Sequence, residues 1–182
     1  MFVVVSVAIM KTSAFVGASV DGFIARRDDG LDWLDAAGND PHGYEEFIAT
    51  VDVIVIGRRT YDVVLAFPQW PYGAKTIVVL SSRPIAPPPQ GAIVEQMSGG
   101  PAEIVERLSS RGFQHAYVDG GVTIQRFLRA GALQRLVVSR VPVLIGTGIP
   151  LFAETGGDVA LKHIGTRAFP SGLVQSEYEV VR

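Results

Sequence analysis

Apolar runs alternate with helical patterns along most of this chain. Four segments place apolar residues at the spacing of one helix face: one from Tyr44 to Val51, one after Arg58, one from Pro101, and one that stops before Gly131. Between them, five runs predict strands: Thr12–Ala18, Asp52–Ile56, Lys75–Leu80, His115–Val118 and Leu133–Val141. Most of these runs are nearly continuously apolar, which is typical of parallel strands covered on both faces.

The C-terminal segment follows a different pattern. From Val174 to Val181 the side chains alternate, which predicts an antiparallel, half-exposed strand. Its expected partner is Ala160–Arg167, joined to it through a turn at Pro170-Ser171-Gly172. Together these patterns predict an α/β fold, with a mostly parallel central sheet, flanking helices and a C-terminal antiparallel hairpin.

The composition fits one globular domain and excludes several kinds of chemistry. The chain has 182 residues, of which 48% are hydrophobic and 19% charged, and its formal net charge is −2. Because there is no basic run, we expect no nucleic-acid partner. The chain has no cysteine, which excludes disulfides, thiolate nucleophiles and cysteine zinc sites, and its three histidines are too scattered for a local metal motif. Its chemistry must therefore come from a bound cofactor, carboxylates, hydroxyls or arginines.

The first ten residues, MFVVVSVAIM, are almost entirely apolar. They lack the basic start and cleavage site of a signal peptide, and they are much shorter than the roughly 20 residues of a membrane helix. Residues 1–10 are therefore interpreted as an extra β-segment or as the result of an alternative start, and the second interpretation is favoured. The domain itself is expected to span residues 11–182, in a cytoplasmic protein with no membrane contact.

Small, hydroxylated and cationic residues follow three of the predicted strands. These segments are Gly57–Thr60, Ser81–Arg83 and Asp119–Thr123. Ligands of open α/β sheets bind at the carboxyl ends of strands, where glycine permits close backbone approach and a helix N-terminus offers free N–H groups to phosphate. Arginine beside serine suits a phosphomonoester. Each signal alone is weak, and no Rossmann fingerprint or P-loop is present, but three such ends in one domain predict a site for a dinucleotide.

The order of these motifs resembles the dihydrofolate reductase superfamily. Within it, the chain is most similar to the family that includes the reductase domain of the bifunctional riboflavin-biosynthesis deaminase-reductase. The resemblance covers Lys11–Arg182. Its motifs are Ser19–Ala25 (SVDGFIA), Ile56–Tyr61 (IGRRTY), Leu80–Arg83 (LSSR), Val118–Gly121 (VDGG) with Phe127-Leu128, and Pro142–Gly146 (PVLIG) running to Leu151-Phe152.

The resemblance implies NADPH as the cofactor, held at the same strand ends. Next to the nicotinamide it places Gly17, Ile24 and Ala25. Around the diphosphate and the 2′-phosphate it places Gly57, Arg58, Arg59 and Thr60. On the adenosine side it places Leu80, Ser81, Ser82 and Arg83. Beneath the diphosphate it places Val118, Gly120, Gly121, Val122 and Thr123.

The substrate side departs from true dihydrofolate reductases. Gly43 stands where their helix carries the acid that protonates the pterin, and Lys75 stands where their arginine grips the folate carboxylate. Both departures argue against folate. Asp40, directly before Pro41, is expected to cap the first helix. Among the nearby acids, Glu46, next to the inward-facing Phe47, is the candidate proton donor. Candidate substrate-binding residues are Trp33, Tyr44, Phe47 and Ser139, with ordinary core packing as the alternative for Trp33 and Tyr44.

The resulting hypothesis is an NADPH-dependent reductase. Hydride would pass to a C=N or C=C bond of a small pyrimidine or pterin related to riboflavin or folate metabolism. Zinc-deaminase motifs are missing, so no deaminase half is expected. The alternatives are a dinucleotide-binding protein with little or no catalysis and a scaffold of the same fold. A homodimer is also expected, as the resemblance implies and as the apolar Val174, Tyr178 and Val180 of the tail strand suggest.

Overall fold

The structure, a computed structural model, describes residues 10–181. Within this part the strands are β1 (Lys11–Ser19), β2 (Phe23–Ala25), β3 (Val53–Gly57), β4 (Thr76–Leu80), β5 (Ile93–Met97), β6 (His115–Asp119), β7 (Arg135–Val141), β8 (Ile149–Pro150), β9 (Leu161–Ala168) and β10 (Val174–Val180). The α-helices are α1 (Tyr44–Ala49), α2 (Arg58–Leu65), α3 (Pro101–Ser110) and α4 (Gly121–Arg129), and a 3-10 helix spans Asp32–Ala37. Of residues 1–10, whose origin was interpreted above, only Met10 belongs to the described residues, and it is buried. The interpretation of residues 1–9 lies outside the described residues.

Eight strands form one sheet in the order β5-β4-β3-β6-β1-β7-β10-β9. The six strands from β5 to β7 pair in parallel, whereas β10 pairs antiparallel with both β7 and β9. This arrangement confirms the predicted α/β architecture and its C-terminal antiparallel hairpin. Because parallel neighbours end at the same edge, the carboxyl ends of β1, β3, β4 and β6 come together.

The two faces of the sheet bury separate apolar clusters. Strand residues such as Val55 and Val118 pack with α3 and α4 on one face. On the other face, Ile56 and Tyr117 pack with α1 and α2. The alternation of these side chains along β3 and β6 explains why the sequence runs are nearly continuously apolar, since both faces of the central strands are covered. None of the helices between residues 10 and 181 has the length and apolar character of a membrane span.

Four elements are not predicted by the sequence patterns. Strand β5 lies at an edge of the sheet and carries Glu95 and Gln96, so it lacks an apolar run. Strands β2 and β8 pair in a small separate sheet and are too short to show a period. The 3-10 helix buries only Trp33, so it presents no apolar face to recognise.

The expectation that Asp40 caps the first helix is wrong. Helix α1 begins at Tyr44, its N-cap is Gly43 in the left-handed region at φ 78°, and no side chain caps it among the described residues. Asp40 instead accepts a hydrogen bond from the backbone N–H of Ser171 at 3.3 Å, which ties the segment before α1 to the turn of the hairpin. A left-handed glycine replaces the side-chain cap that the sequence suggests.

Candidate active site

The carboxyl ends of β1, β3, β4 and β6 surround a cavity of about 430 Å³, called here the strand-end cavity. Its wall contains twelve of the sixteen residues that the family resemblance assigns to the cofactor: Gly17, Ile24, Ala25, Gly57, Arg58, Arg59, Thr60, Leu80, Gly120, Gly121, Val122 and Thr123. These residues come from five separate stretches of the chain, and the parallel strand order brings them together.

Four of the sixteen residues lie off this wall. Val118 is fully buried inside the sheet. Ser81, Ser82 and Arg83 form a turn beyond the end of β4, in which the Ser81 hydroxyl accepts from the Arg83 N–H at 3.1 Å. The Gln96 side chain holds this turn by donating to the Ser81 and Arg83 carbonyls at 2.9 and 3.0 Å. The Ser81–Arg83 segment therefore stands outside the cavity, on the side of β5.

The two turns that lead into α2 and α4 interlock. A Cβ placed on Gly57 would lie 2.9 Å from the Thr123 hydroxyl oxygen, and one placed on Gly120 would collide with the Thr60 hydroxyl. Thr60 and Thr123 are each the third residue of their helix. The Thr123 hydroxyl of α4 therefore lies over Gly57, which precedes α2, and the Thr60 hydroxyl of α2 lies over Gly120, which precedes α4. Gly120 also has φ 90°, which a residue with a side chain rarely adopts. Gly120 is therefore required at its turn whatever ligand binds, and a side chain at Gly57 would displace the Thr123 hydroxyl.

This interlocking places two helix N-termini side by side at the cavity. No side chain within residues 10–181 caps the first turn of α2 or α4. The first residues of both helices line the cavity, so their unpaired backbone N–H groups and the positive ends of both helix dipoles lie there. Two adjoining helix N-termini suit a diphosphate better than either one alone.

Three arginines add positive charge to the same wall: Arg58, Arg59 and Arg126. The Arg59 Nε lies 2.7 Å from an Asp29 carboxylate oxygen. Among the described residues, the half-buried Arg58 has one ion-pair contact, a long one of 3.7 Å with Asp62. Asp29 belongs to the loop between β2 and the 3-10 helix, so its pairing with Arg59 fastens that loop to α2. The Asp29 carboxylate is thus already paired with the Arg59 guanidinium, a group that could otherwise bind a phosphate.

Asp119 is a site residue that sequence reasoning missed. It ends β6 on the wall of the strand-end cavity, and burial raises the pKa of its carboxyl although the Gly120 N–H donates to it at 2.7 Å. The phenol of Tyr117 lies beside the Asp119 carboxyl. Burial, together with the charge of Asp119, also raises the pKa of Tyr44 to about 12. The available signal was an acidic residue placed directly after a continuously apolar strand.

Glu46 and Phe47 line a different cavity, of about 710 Å³, called here the hairpin cavity because it lies between α1 and the β9–β10 hairpin. Glu46 is exposed there. Phe15 of β1 is on the wall of both cavities, so the two adjoin. The role of Glu46 as proton donor stays a prediction, and Asp119 is a second candidate.

The other predicted substrate residues do not reach the wall of either cavity. Trp33 is buried in a small apolar cluster with Val141 and Leu173, which fits the packing alternative. Tyr44 packs edge-on against Phe15, with ring centroids 5.6 Å apart. Ser139 is buried and accepts a hydrogen bond from the Gln175 side chain at 2.9 Å.

Lys75, which replaces the folate-gripping arginine, is already engaged in the fold. Its ammonium group donates to the backbone carbonyl of Val51 at 2.6 Å. This hydrogen bond holds the segment between α1 and β3 in place. Gly43, which replaces the catalytic acid, has no atom near the place where a Cβ would stand. Neither position therefore presents a group that could recognise folate.

The comparison with known protein families agrees with this geometry. The family model described as "RibD C-terminal domain" matches residues 11–175. The chain belongs to this family. It is 33% identical to the uncharacterized protein YwjB of Bacillus subtilis (strain 168) over 162 residues, which cover 87% of this chain and 92% of YwjB.

Two solved structures extend the comparison. The crystal structure of a candidate riboflavin biosynthesis protein from Shewanella sp. PV-4 is 36% identical, with a TM-score of 0.87 over 95% of this chain and 100% of that one. The dihydrofolate reductase of Enterococcus faecalis, complexed with NADP(H), is 19% identical with a TM-score of 0.62, over 93% and 94% of the two chains. The second likeness shows the dihydrofolate-reductase-like fold alone.

Proposed function

We propose that the protein is an NADPH-dependent reductase. It transfers hydride to a C=N or C=C bond of a small pyrimidine- or pterin-type substrate in riboflavin- or folate-related metabolism. The observation that carries this proposal is the pair of interlocked, uncapped helix N-termini facing one cavity with three arginines. Membership of the RibD C-terminal domain family supports an oxidoreductase of this kind.

The residues of the strand-end cavity fit a phosphorylated dinucleotide. Gly57 and Gly120 lie on the wall where a diphosphate would approach, and the first turns of α2 and α4 offer N–H donors. Arg58 and Arg59 supply the forked donors that suit a further phosphate. NADP(H) in the E. faecalis enzyme, which has the same fold, supports NADPH as the group held here.

When bound, NADPH supplies the hydride. The chain supplies binding, orientation and the proton. Apolar side chains such as Phe15, Ile24 and Leu34 line the cavity beside Gly17 and exclude water from the reacting bond. The reduced bond takes hydride at carbon and a proton at its other atom, and a carboxyl with a raised pKa, such as Asp119, holds a proton closer to neutral pH than an ordinary one. Glu46 is the rival source of that proton.

The substrate class follows from what the site lacks. Folate recognition needs an acid on the first helix and a bidentate clamp for the glutamate tail, whereas the chain has Gly43 and an already engaged Lys75. The absence of both folate-binding groups should together weaken binding of the folate transition state by several kcal/mol. We therefore expect slow reduction of dihydrofolate, weak binding of methotrexate, and better turnover of smaller pyrimidines and pterins.

The test measures NADPH and NADH binding by calorimetry and then NADPH consumption with a panel of pyrimidines, pterins and dihydrofolate. Tight NADPH binding, weaker NADH binding and turnover of a small heterocycle would support the proposal. Equal affinity for the two nucleotides, or rapid reduction of dihydrofolate, would contradict it. Tight NADPH binding with no turnover of any compound would favour the alternative, a dinucleotide-binding protein with little or no catalysis.

A further inference from the structure

Strands β1 and β6 separate at their carboxyl ends, next to the strand-end cavity. Within the described chain, the last residues that pair between the two strands are Ser13 and Tyr117. Phe15 and Asp119 stand two residues further along these strands, and both lie on the wall of the cavity. The sheet therefore opens where Asp119 meets the cavity.

The hydroxyl of Tyr117 bridges this opening. It donates a hydrogen bond of 2.9 Å to the backbone carbonyl of Phe15, across the gap between the strands. The phenol ring is buried and packs edge-on against Phe47 and Tyr44, with ring centroids 5.2 and 6.4 Å away, so its position is fixed by packing. Because residues two apart in a strand project from the same face, the side chains of Tyr117 and Asp119 lie side by side.

Two groups hold the carboxyl of Asp119. The backbone N–H of Gly120 donates to one carboxyl oxygen at 2.7 Å, and the Tyr117 hydroxyl is close enough to act as a second hydrogen-bonding group. Burial raises the pKa of Asp119, and the two hydrogen bonds act in the opposite direction. The carboxyl therefore keeps its proton to higher pH than an ordinary aspartate, against the pull of Gly120 and Tyr117.

The other groups that face this carboxyl are phenols and the charges of the cavity wall. Tyr44 of α1 and Tyr72, between α2 and β4, lie on the same side of the sheet, and burial followed by the charge of Asp119 raises the pKa of both. The charged residues on the wall are Arg58, Arg59, Arg126 and Asp29. Among all these groups, the Tyr117 hydroxyl is the one that shares a strand face with Asp119.

The hydrogen bond to Phe15 limits what Tyr117 can offer to Asp119. A hydroxyl has one hydrogen to donate and lone pairs that accept. While the hydrogen of Tyr117 lies on the Phe15 carbonyl, only its lone pairs remain for Asp119, and these suit a neutral carboxyl that donates its own proton. A carboxylate can only accept, so the hydroxyl must then turn its hydrogen from Phe15 to Asp119. The Tyr117 hydroxyl thus has one orientation for each protonation state of its neighbour.

We propose that Tyr117 is a positioning residue for the Asp119 carboxyl, accepting a hydrogen bond from the neutral acid and donating one to the carboxylate left after proton transfer. In that transfer the O–H bond of Asp119 breaks, the proton goes to the substrate atom that does not receive the hydride, and Tyr117 keeps its own hydrogen. Because a hydrogen bond to an ion is stronger than one between neutral groups, Tyr117 favours release of the proton. This role rests on the proposed function, since it takes Asp119 as the source of the proton.

The first test observes the Asp119 carboxyl directly and needs no turnover. Aspartate that carries an isotope label at the side-chain carboxyl carbon is incorporated into the full chain, and the NMR signal missing from Asp119→Asn identifies Asp119. Titration with pH then gives its pKa. In Tyr117→Phe this pKa should rise by about one pH unit, because the carboxylate loses a charge-assisted donor. An unchanged or lowered pKa would overturn the proposal.

Tyr61→Phe is the matched control. Tyr61 is buried on the same face of the sheet, and its hydroxyl also donates to a backbone carbonyl, that of Ala86 in the loop after β4, at 3.0 Å. Both variants lose one such hydrogen bond and should lower the free energy of unfolding to a similar extent. The pKa of Asp119 should change in Tyr117→Phe alone. An equal rise in both variants would overturn the proposal, because the shift would then come from looser packing.

A second measurement asks whether Tyr117 acts through Asp119. With a reduced compound in hand, the alkaline limb of the kcat profile should move to higher pH in Tyr117→Phe by the same amount as the pKa of Asp119. In the Asp119→Asn background, Tyr117→Phe should change kcat by less than about twofold, since the group it positions is already lost. An unmoved limb, or a further loss of about tenfold in the double variant, would overturn the proposal.

These outcomes are distinct from failure of the reductase assignment. If no compound is reduced but the pKa of Asp119 rises in Tyr117→Phe and stays the same in Tyr61→Phe, the reductase is refuted and the pairing of Tyr117 with Asp119 stands. If NADPH-dependent turnover is found and Tyr117→Phe moves neither the pKa of Asp119 nor the alkaline limb, the reductase stands and the positioning role of Tyr117 is refuted.

Discussion

At the scale of single residues, the ion pair between Arg59 and Asp29 on the wall of the strand-end cavity provides a test of the proposed phosphate binding. Arg59→Ala should weaken NADPH binding about tenfold or more, because a charge-assisted contact is lost, and should affect NADH much less. Asp29→Asn should have the opposite effect and strengthen NADPH binding about two- to fivefold, since it releases the guanidinium from an exposed 2.7 Å ion pair. Calorimetric titration of both nucleotides measures each change.

Asp28→Asn is the control for this pair of variants. It removes the same charge from the same loop, but within residues 10–181 the Asp28 side chain accepts only the Gly30 N–H, a contact that asparagine retains. NADPH affinity should stay as it is in the unmodified protein. If Asp29→Asn and Asp28→Asn change the affinity equally, the effect comes from net charge and not from the release of Arg59.

The source of the proton can be tested with two conservative variants. Asp119→Asn should lower kcat about a hundredfold, in the range expected for loss of a general acid, and should remove the corresponding ionisation from the pH profile. Because burial raises the pKa of Asp119, the unmodified protein should lose activity as pH rises through that pKa. Glu46→Gln serves as the comparison. A large loss of kcat with Glu46→Gln and none with Asp119→Asn would establish the role predicted for Glu46 from the sequence.

At the scale of elements, the interlocked turns of α2 and α4 should be more sensitive to substitution than other glycine positions. Gly57→Ala and Gly120→Ala should each lower the free energy of unfolding by about 1–3 kcal/mol, because the added methyl group meets a threonine hydroxyl of the other helix. Gly165→Ala in β9, which meets no atom within 4 Å, should cost much less. Chemical denaturation measures all three. Equal effects would show that the turns do not depend on this contact.

The buried His115 should make the free energy of unfolding depend on pH. Its Nε2 lies 2.8 Å from the Ser13 hydroxyl and its Nδ1 lies 3.0 Å from the Thr50 carbonyl, and burial lowers its pKa below 6.5. Below about pH 6.5 the imidazole of His115 binds a proton in the unfolded chain but not in the folded one. The free energy of unfolding should therefore fall as pH drops below about 6.5, and level off below the pKa of His115 in the folded state. Denaturation of His115→Gln should show a shallower slope over this range. An identical slope would assign the pH effect to other groups.

The sequence predicts elements well where one physical signal dominates. Continuous apolar runs predict the central strands because those strands are buried on both faces, and the alternating tail predicts the hairpin. Strand β5 is missed because an edge strand needs no apolar run. At the site, two of the three strand-end segments, Gly57–Thr60 and Asp119–Thr123, gather at the cavity, whereas Ser81–Arg83 lies outside it. Asp119 is missed because its altered pKa comes from burial that local sequence does not show.

At the scale of the whole molecule, the exposed hairpin suggests self-association. Strand β9 closes one end of the sheet with nearly every residue exposed, including Leu161 at 42% and Ile164 at 51%. Such an edge is a pairing site that proteins usually cover. We predict a homodimer by light scattering, and Ile164→Asp should shift it toward the monomer. The control is Leu144→Asp, at an exposed position outside the hairpin. A mass near 19.5 kDa for the unmodified protein at high concentration would reject the dimer.

The strand order also governs how the chain folds while it is being synthesised. Strand β1 is made early, yet its neighbours are β6 and β7, with Lys11 beside His115 and Ser13 beside Arg135. Until about residue 141 has left the ribosome, at least one edge of this apolar strand has no partner within the sheet. Contacts between such distant parts of a chain form slowly, and unpaired edges aggregate. Chains cut before β7 should therefore be insoluble, and chaperones that shield nascent chains should matter most during synthesis of the first three quarters of the protein.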